Sequence, residues 1–339
     1  YWRSVPVRCL MICLIICAFH IVRSFLTWFF SRGKFANVED GCVHIMGPIP
    51  FVGVGLATTV IIICATLAVQ QTKRASIERS LHHMTRLKPS VCIDSVFERQ
   101  SFEHACKTVR QAGIPAIEFW GWWDKDLDAL QEAQQENDLV ISACCTKFIS
   151  LVNPADRSAY IDGVAASIEA AHRLGTDILI SQVGDVREDV PRAAQHDSLV
   201  EGLREVAPLL EQANITLVIE PLNERVNHPG YYLVRSDEAF QIIDEVNSDF
   251  IKVIFDIYHQ QISEGDLIEN IRSNIDKIGH FHAAGNPGRH ELQHGEIAYP
   301  FVFDQIRATG FTGYVGLEYW PLEKEVILSL REVSGWFVE

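Results

Sequence analysis

From residue 90 onward, short apolar runs alternate with amphipathic segments, and this alternation limits the fold more than any other feature. Each run has the length and composition of a buried strand, and a segment with helix signals follows it. Eight such pairs in about 250 residues match the count and size of a (β/α)8 TIM barrel, an α/β fold. The runs are SVCID (90–94), AIEFW (116–120), LVISACC (139–145), DILISQVG (177–184), TLVIE (216–220), KVIFD (252–256), IGHFHAA (278–284) and YVGLEYW (314–320).

The helix signals are clear where the segments between the runs begin and end. SFEHACKTVRQAG opens on Ser101, a good N-cap, and carries Glu103 in its first turn. SAYIDGVAASIEAAHRLG has apolar residues at helical spacing and closes on Gly175. A doubly wound sheet is the alternative fold, but no glycine-rich phosphate loop follows any run. We therefore predict one TIM-barrel domain over residues 84–339.

Residues 1–83 form a separate hydrophobic leader. The run 51–70 holds no charged residue over 20 positions and is followed by Lys73, as expected of a transmembrane helix. The run 9–22 is shorter and makes a second span only if the following SFLTWFF extends it. If both runs span the membrane, the basic residues at their outer ends (Arg8 and Lys73) place the barrel on the cytoplasmic side, anchored through 51–70. The alternative carries equal weight: Met84 opens a clean soluble domain, and the leader is upstream sequence translated in error.

The composition of the barrel region argues against two classes of protein. The first 83 residues carry eight basic and three acidic residues, a net +5, and the remaining 256 carry 21 and 41, a net −20. Such an acidic body repels polyanions, so nucleic acid is not an expected partner. None of the nine cysteines forms a CxxC pair, which favours buried thiols in a reducing compartment over a disulfide framework.

Polar residues close the last four predicted strands, although a buried carboxylate without a partner is costly. Because strand ends share one mouth in a barrel, these side chains should converge. Three carboxylates and one imidazole are typical ligands of Mg²⁺ or Mn²⁺, whereas zinc favours more His or Cys. A helix cap, a salt bridge or a core histidine explains each residue alone, but not all of them together. The predicted metal ligands are Glu220, Asp256, His282 and Glu318, at spacings of 36, 26 and 36 residues.

Longer motifs around these residues resemble the hydroxypyruvate isomerase family. That family belongs to the xylose-isomerase-like barrels, which also include the ketose 3-epimerases. The resemblance covers residues 84–339 and none of the leader. The motifs are IEFWGWWDKDL (117–127), EPLN (220–223), FDIYHQQISEGDL (255–267), HFHAAGNPGR (280–289), GEIAYP (295–300) and GLEYWP (316–321).

The resemblance implies roles for individual residues. The four predicted ligands match the family's metal-binding positions, and Glu220 and Glu318 also match its two catalytic carboxylates. His259 and Arg289 match positions that hold substrate oxygens. Some bacterial hydroxypyruvate isomerases have Gln where this chain has His282, whereas the epimerases have His, so this position does not separate the two activities. A homo-oligomer is compatible with the resemblance.

The implied activity is a metal-dependent isomerase of the aldose–ketose type. It moves a proton between C2 and C3 of a small keto-hydroxy acid through an enediolate, converting hydroxypyruvate to tartronate semialdehyde. One alternative is a ketose 3-epimerase or another small-sugar isomerase. Val226 replaces an acid found in the epimerases, and DIYHQQ replaces their DTFHMN, so the hydroxypyruvate branch is favoured. A second alternative is a membrane-tethered binding barrel without turnover.

Two further expectations concern the second predicted strand. Trp120, Trp122 and Trp123 follow it directly and are candidates for the wall of a small pocket or for packing at the rim. Glu118 lies within the strand, and we expect it to face inward and to be paired rather than catalytic.

Overall fold

Eight short parallel strands hydrogen-bond in sequence order and close on themselves in the computed structural model, which describes residues 87–337. The first strand pairs with both the second and the eighth, which confirms the predicted TIM barrel and excludes the doubly wound alternative. The strands are β1 (Lys88–Cys92), β2 (Ala116–Phe119), β3 (Val140–Cys145), β4 (Ile178–Ser181), β5 (Thr216–Ile219), β6 (Ile251–Asp256), β7 (Ile278–Ala283) and β8 (Tyr314–Leu317).

Helices follow the strands, and their ends have the predicted chemistry. Ser101 Oγ accepts the backbone N–H of His104 at 3.2 Å, and Gly175 closes its helix with a φ of +72°. The α-helices are α1 (Ile93–Val96), α2 (Phe102–Gln111), α3 (Leu127–Glu136), α4 (Arg157–Leu174), α5 (Arg192–Ala213), α6 (Ser236–Val246), α7 (Ile257–Ser263), α8 (Leu267–Ser273), α9 (Tyr299–Ala308) and α10 (Val326–Gly335); 3₁₀ turns lie at Pro154–Asp156 and Ile275–Lys277.

The two-residue period of the strands decides which side chains face the barrel axis. In β5, Leu217 and Ile219 belong to the large apolar core, whereas Val218 belongs to a separate small cluster that also contains Cys145. Cys145 lines the cavity at the mouth, so the small cluster fills the barrel interior. Glu220 lies two residues after Val218 and therefore points to the same side.

Six of the eight strands end before their predicted apolar runs do, and the difference is largest in β4 and β8. β4 stops at Ser181 and β8 at Leu317, three residues short of the predicted end in each case. The backbone N–H of Glu318 still bonds to the carbonyl of Ala283 on β7, at 3.0 Å, and that of Glu220 bonds to Ser181 on β4, at 3.2 Å. Glu220 and Glu318 therefore lie just beyond the ends of their strands, and backbone hydrogen bonds to the neighbouring strands still hold them in place.

The predicted leader lies outside the described residues, and so do its candidate spans at 9–22 and 51–70. Between residues 87 and 337, no helix combines the length and the apolar character needed to cross a membrane. The predicted buried thiols of the barrel region are confirmed. They are Cys92, Cys106, Cys144 and Cys145, all free and buried.

Candidate active site

Four polar side chains meet where β5 to β8 open into the barrel mouth. Each offers one ligand atom, and these atoms all lie within 4.8 Å of one another. His282 Nδ1 is 3.3 Å from a carboxylate oxygen of Glu220, 3.3 Å from one of Glu318 and 3.9 Å from one of Asp256. All four side chains are buried. We call this set the mouth cluster: Glu220, Asp256, His282 and Glu318.

Strand register places two members of the mouth cluster side by side. Asp256 closes β6 and pairs directly with His282 on β7. The Oδ1 atom of Asp256 also caps α7, because it accepts the backbone N–H of His259 at 3.0 Å. One residue therefore ends a strand, begins a helix and presents its second oxygen to the barrel mouth.

The unpaired atoms of the mouth cluster fit a cation. Among the described residues, Glu220 Oε1 and His282 Nδ1 are buried and have no hydrogen-bond partner. Burial alone would lower the pKa of His282, but Glu318 and Glu118 raise it well above its usual value. Positive charge is thus favoured between the imidazole and the carboxylates. Three carboxylates and one imidazole suit a divalent ion such as Mg²⁺ or Mn²⁺.

Glu318 is the most strongly bonded carboxylate of the mouth cluster. Trp120 Nε1–H donates to its Oε1 at 2.7 Å, and the guanidinium of Arg289 donates to its Oε2. Burial would raise the pKa of Glu318, but Arg289 and His282 outweigh it and hold that pKa well below the usual range. Glu318 is therefore ionised.

Arg289 brings a cation to the edge of the mouth cluster. Its guanidinium is buried, contacts Glu318 and lies 3.9 Å from Asp256 Oδ2. Its central carbon is 5.0 Å from the ring centre of Trp320 and 5.5 Å from that of Tyr258. The backbone of Arg289 has a φ of +60°, a conformation that is uncommon outside glycine and is frequent at functional sites.

Burial is the largest cause of the pKa shifts of Asp256 and His259. Burial raises the pKa of Asp256 to about 6, although Arg289 opposes the shift. Burial, with Arg289 adding to it, lowers the pKa of His259 well below its usual value, so this imidazole is neutral. The backbone N–H of Asn223 donates to His259 Nδ1 at 3.1 Å, which leaves the hydrogen on Nε2. Nε2 lies 3.7 Å from Asp256 Oδ2.

A cavity of about 210 Å³ opens above the mouth cluster. Arg289 lines this cavity. His259, the other predicted substrate-binding residue, is not among the lining residues and lies next to Asp256. Of the three tryptophans after β2, Trp120 lines the cavity; Trp122 donates to Ser167 and Trp123 packs on Phe148. The lining residues are Trp120, Cys145, Phe148, Ile180, Gln182, Glu220, Leu222, His228, His282, Arg289, Glu318 and Trp320.

Comparison with known proteins decides the family. Residues 106–335 match the sequence model of the family described as "Xylose isomerase-like TIM barrel". The chain belongs to this family. Hydroxypyruvate isomerase of Escherichia coli (strain K12) is 32% identical over 244 residues, which are 69% of this chain and 94% of that protein. The predicted family and the predicted isomerase class are therefore confirmed.

Two further relatives extend the comparison. The 2-oxo-tetronate isomerase of Cupriavidus necator is 37% identical over 158 residues, which are 47% of this chain and 60% of that protein. Among solved structures, the AP endonuclease, family 2, from Brucella melitensis is 27% identical, with a TM-score of 0.67; the match covers 71% of this chain and 96% of that one. These two proteins have names that denote different activities, and the solved structure shares the fold of this chain.

Beneath the mouth cluster of this xylose isomerase-like barrel lies a buried carboxylate. Glu118 Oε2 accepts hydrogen bonds from His280 Nε2 and Ser142 Oγ, both at 3.0 Å. Its Oε1 lies 2.8 Å from His282 Nε2. Burial would raise the pKa of Glu118, but His280 and His282 lower it well below the usual range. The expectation that Glu118 faces inward and is paired is confirmed.

Sequence reasoning missed several contacts of the site. It assigned no role to Trp320, to Asn223 or to His280, although all three lie within the recognised motifs. The available signal was periodicity: His280 precedes His282 by two residues on β7 and therefore faces the same interior. The partner of His280 belongs to β2, and nothing in the local sequence of β7 indicates it.

Proposed function

We propose that the chain is a metal-dependent isomerase that interconverts hydroxypyruvate and tartronate semialdehyde through an enediolate. In this proposal the mouth cluster holds one Mg²⁺ or Mn²⁺ ion, and Glu220 and Glu318 are the acid/base pair. The observation that carries the proposal is the position of these two carboxylates, each 3.3 Å from the same imidazole nitrogen. Hydroxypyruvate isomerase of E. coli, which this chain matches over 94% of its length, supports the choice of substrate.

The reaction moves one carbon-bound proton and one hydroxyl proton. A proton leaves C3 of hydroxypyruvate and one arrives at C2, while the hydroxyl hydrogen passes from O3 to O2. A carboxylate is a weak base for a C–H proton in water, and a bound divalent ion supplies the positive charge that stabilises the enediolate. The protein must then hold a carboxylate at the reacting carbons and exclude water.

The two carboxylates enter the reaction in different states. Glu220 Oε1 has no hydrogen-bond partner among the described residues. In this proposal the oxygen of Glu220 that does not hold the ion accepts the C3 proton. Glu318 is held ionised by Arg289 and Trp120. When substrate oxygens take over the guanidinium of Arg289, Glu318 loses a counter-charge and its affinity for a proton rises. Glu318 then takes the hydroxyl hydrogen from O3 and delivers it to O2, while Glu220 returns its proton to C2.

The size and lining of the cavity favour a small substrate. Its volume of about 210 Å³ lies below the roughly 300–1,000 Å³ of typical ligand pockets. Trp120, Trp320 and Leu222 form apolar walls, and Arg289 supplies a cation for a carboxylate or a hydroxyl oxygen. A three- or four-carbon keto-hydroxy acid fits these features better than a hexose.

A substrate panel tests the proposal. The full chain, loaded with Mn²⁺, is incubated with hydroxypyruvate, 2-oxo-tetronate and C4–C6 ketoses, and the products are followed by NMR. We expect turnover of hydroxypyruvate and its loss in excess chelator. Faster epimerisation of a ketose at C3 would favour the epimerase alternative, and no turnover of any substrate would favour the binding barrel. Full activity in excess chelator would overturn the metal-dependent mechanism.

A further inference from the structure

Glu118 is buried, and the proposed reaction gives its carboxylate no role. It lies on β2, inside the barrel, and its side chain is only 2% exposed. One oxygen, Oε2, is held by His280 and Ser142. The other, Oε1, lies against Nε2 of the His282 imidazole. Nδ1 of the same ring faces the carboxylates of the mouth cluster. The imidazole of His282 therefore lies between Glu118 on one side and the carboxylates of the mouth cluster on the other.

The neighbouring strand leaves space for this contact. Gly316 on β8 pairs with His282 in the sheet. A Cβ atom at Gly316 would lie 2.0 Å from Glu118 Oε1 and 2.6 Å from His282 Cδ2, and both distances are far too short. Any other residue at this position would push the carboxylate and the imidazole apart. The absence of a side chain at Gly316 thus allows Glu118 to reach His282.

The short contact decides which ring nitrogen keeps the hydrogen when the imidazole of His282 is neutral. Nε2 of His282 is 2.8 Å from Glu118 Oε1, although its N–H direction is not aligned for a linear hydrogen bond. A bare nitrogen lone pair that close to a carboxylate oxygen would be repelled, so Nε2 carries the hydrogen. A neutral imidazole then has its free lone pair on Nδ1, the nitrogen that faces Glu220 and Glu318.

We propose that Glu118 is a positioning residue for His282: it keeps the hydrogen on Nε2 and turns Nδ1 toward the metal ion. This inference rests on the proposed metal site. Histidine ligands commonly donate their second N–H to a carboxylate, which fixes the ring and makes the ligating nitrogen more basic. Glu118, His280 and His282 lie close enough to hold an ion themselves. Because Oε2 of Glu118 already accepts two hydrogen bonds, we propose that Glu118 and His280 do not bind an ion but hold His282 in position.

The decisive variant is Glu118→Gln, which keeps the size of the side chain and removes its charge. Binding of Mn²⁺ is measured from the EPR signal of free Mn²⁺, and the melting temperature of the metal-free protein is recorded in parallel. We expect Mn²⁺ to bind about 10–100-fold more weakly. Ser142→Ala is the matched control, since it removes one hydrogen bond to Glu118 and leaves the contact with His282. We expect it to change the affinity less than about threefold.

The outcomes separate this inference from the proposed function. If the unaltered protein binds no Mn²⁺, the metal proposal itself fails. If it binds one ion and Glu118→Gln binds that ion equally well, only the role of Glu118 is overturned, even if the variant melts at a lower temperature. A second ion bound by Glu118, His280 and His282 would also overturn it, because Glu118 would then be a ligand.

A measurement on the unaltered protein covers the case in which Glu118→Gln does not fold. In the Mg²⁺-loaded protein, the ¹⁵N resonances of His282 report which nitrogen carries the hydrogen. We expect a protonated Nε2 and a ligated Nδ1. A hydrogen on Nδ1 would overturn the inference whatever the variant does.

Discussion

Replacing Arg289 with methionine should destabilise the metal-free protein far more than a typical surface change. The guanidinium contacts Glu318 and lies 3.9 Å from Asp256 Oδ2 in a buried setting. A charge pair at about 4 Å is worth about 4 kcal/mol at an effective dielectric constant of about 20. Loss of one partner of a buried pair costs about 3–5 kcal/mol. Methionine fills part of the space beside Tyr258 and Trp320 but carries no charge, so we expect the free energy of unfolding to fall by about 3–5 kcal/mol.

Mn²⁺ should recover part of this loss. The ion gives Glu318 and Asp256 a new partner, and it no longer meets the positive charge of Arg289. We expect Arg289→Met to bind Mn²⁺ at least about tenfold more tightly than the unaltered protein, which corresponds to about 1.4 kcal/mol of recovered stability. Denaturant unfolding, followed by tryptophan fluorescence with and without Mn²⁺, measures both quantities.

A second buried arginine provides the control. Arg307 is about as buried as Arg289 but pairs with Asp304 on α9, away from the mouth cluster. Arg307→Met should therefore lower the stability by the same amount with and without Mn²⁺. If the loss in Arg289→Met were equally independent of Mn²⁺, Arg289 and the ion would not share the carboxylates, and the reasoning would be refuted.

Three further predictions concern catalysis and metal binding. Glu318→Gln should lower kcat by about 10²–10⁴-fold while the variant still folds and binds Mn²⁺, and a near-normal kcat would remove Glu318 from the acid/base pair. Since burial raises the pKa of Asp256 to about 6, protonation below that pH removes a ligand charge, and Mn²⁺ affinity should fall between pH 7.5 and pH 5; a flat titration profile would contradict this. Trp120→Phe removes the N–H donor to Glu318 and keeps an aromatic wall, so kcat should fall about tenfold at unchanged Mn²⁺ affinity, whereas an equal loss of affinity would show that the indole supports the metal instead.

The parts of the fold that depend on local chemistry were predictable from the sequence. The apolar runs indicated all eight strands, and Ser101 and Gly175 marked the ends of two helices. The ends of β4 and β8 were placed three residues too late. The end of a strand depends on where its neighbours stop pairing, and the apolar residues after β4 continue into the core without continuing the sheet.

The same distinction applies to the site. The four residues of the mouth cluster could be found because each lies at or next to the end of a strand and all strands of a barrel end at one mouth. Contacts between distant strands could not be found, because they depend on register around the closed barrel. Glu118 and His280 are 162 positions apart in the sequence and 3.0 Å apart in the structure. The short contact of Arg289 with Glu318 likewise depends on a loop whose backbone conformation the sequence does not specify.

The most direct test of the central claim is anomalous X-ray diffraction from crystals soaked in Mn²⁺. We expect one strong peak in the barrel mouth, about 2.0–2.3 Å from Nδ1 of His282 and from carboxylate oxygens of Glu220, Asp256 and Glu318. A peak beside Glu118 and His280 instead, or no peak in protein that turns over hydroxypyruvate, would contradict it.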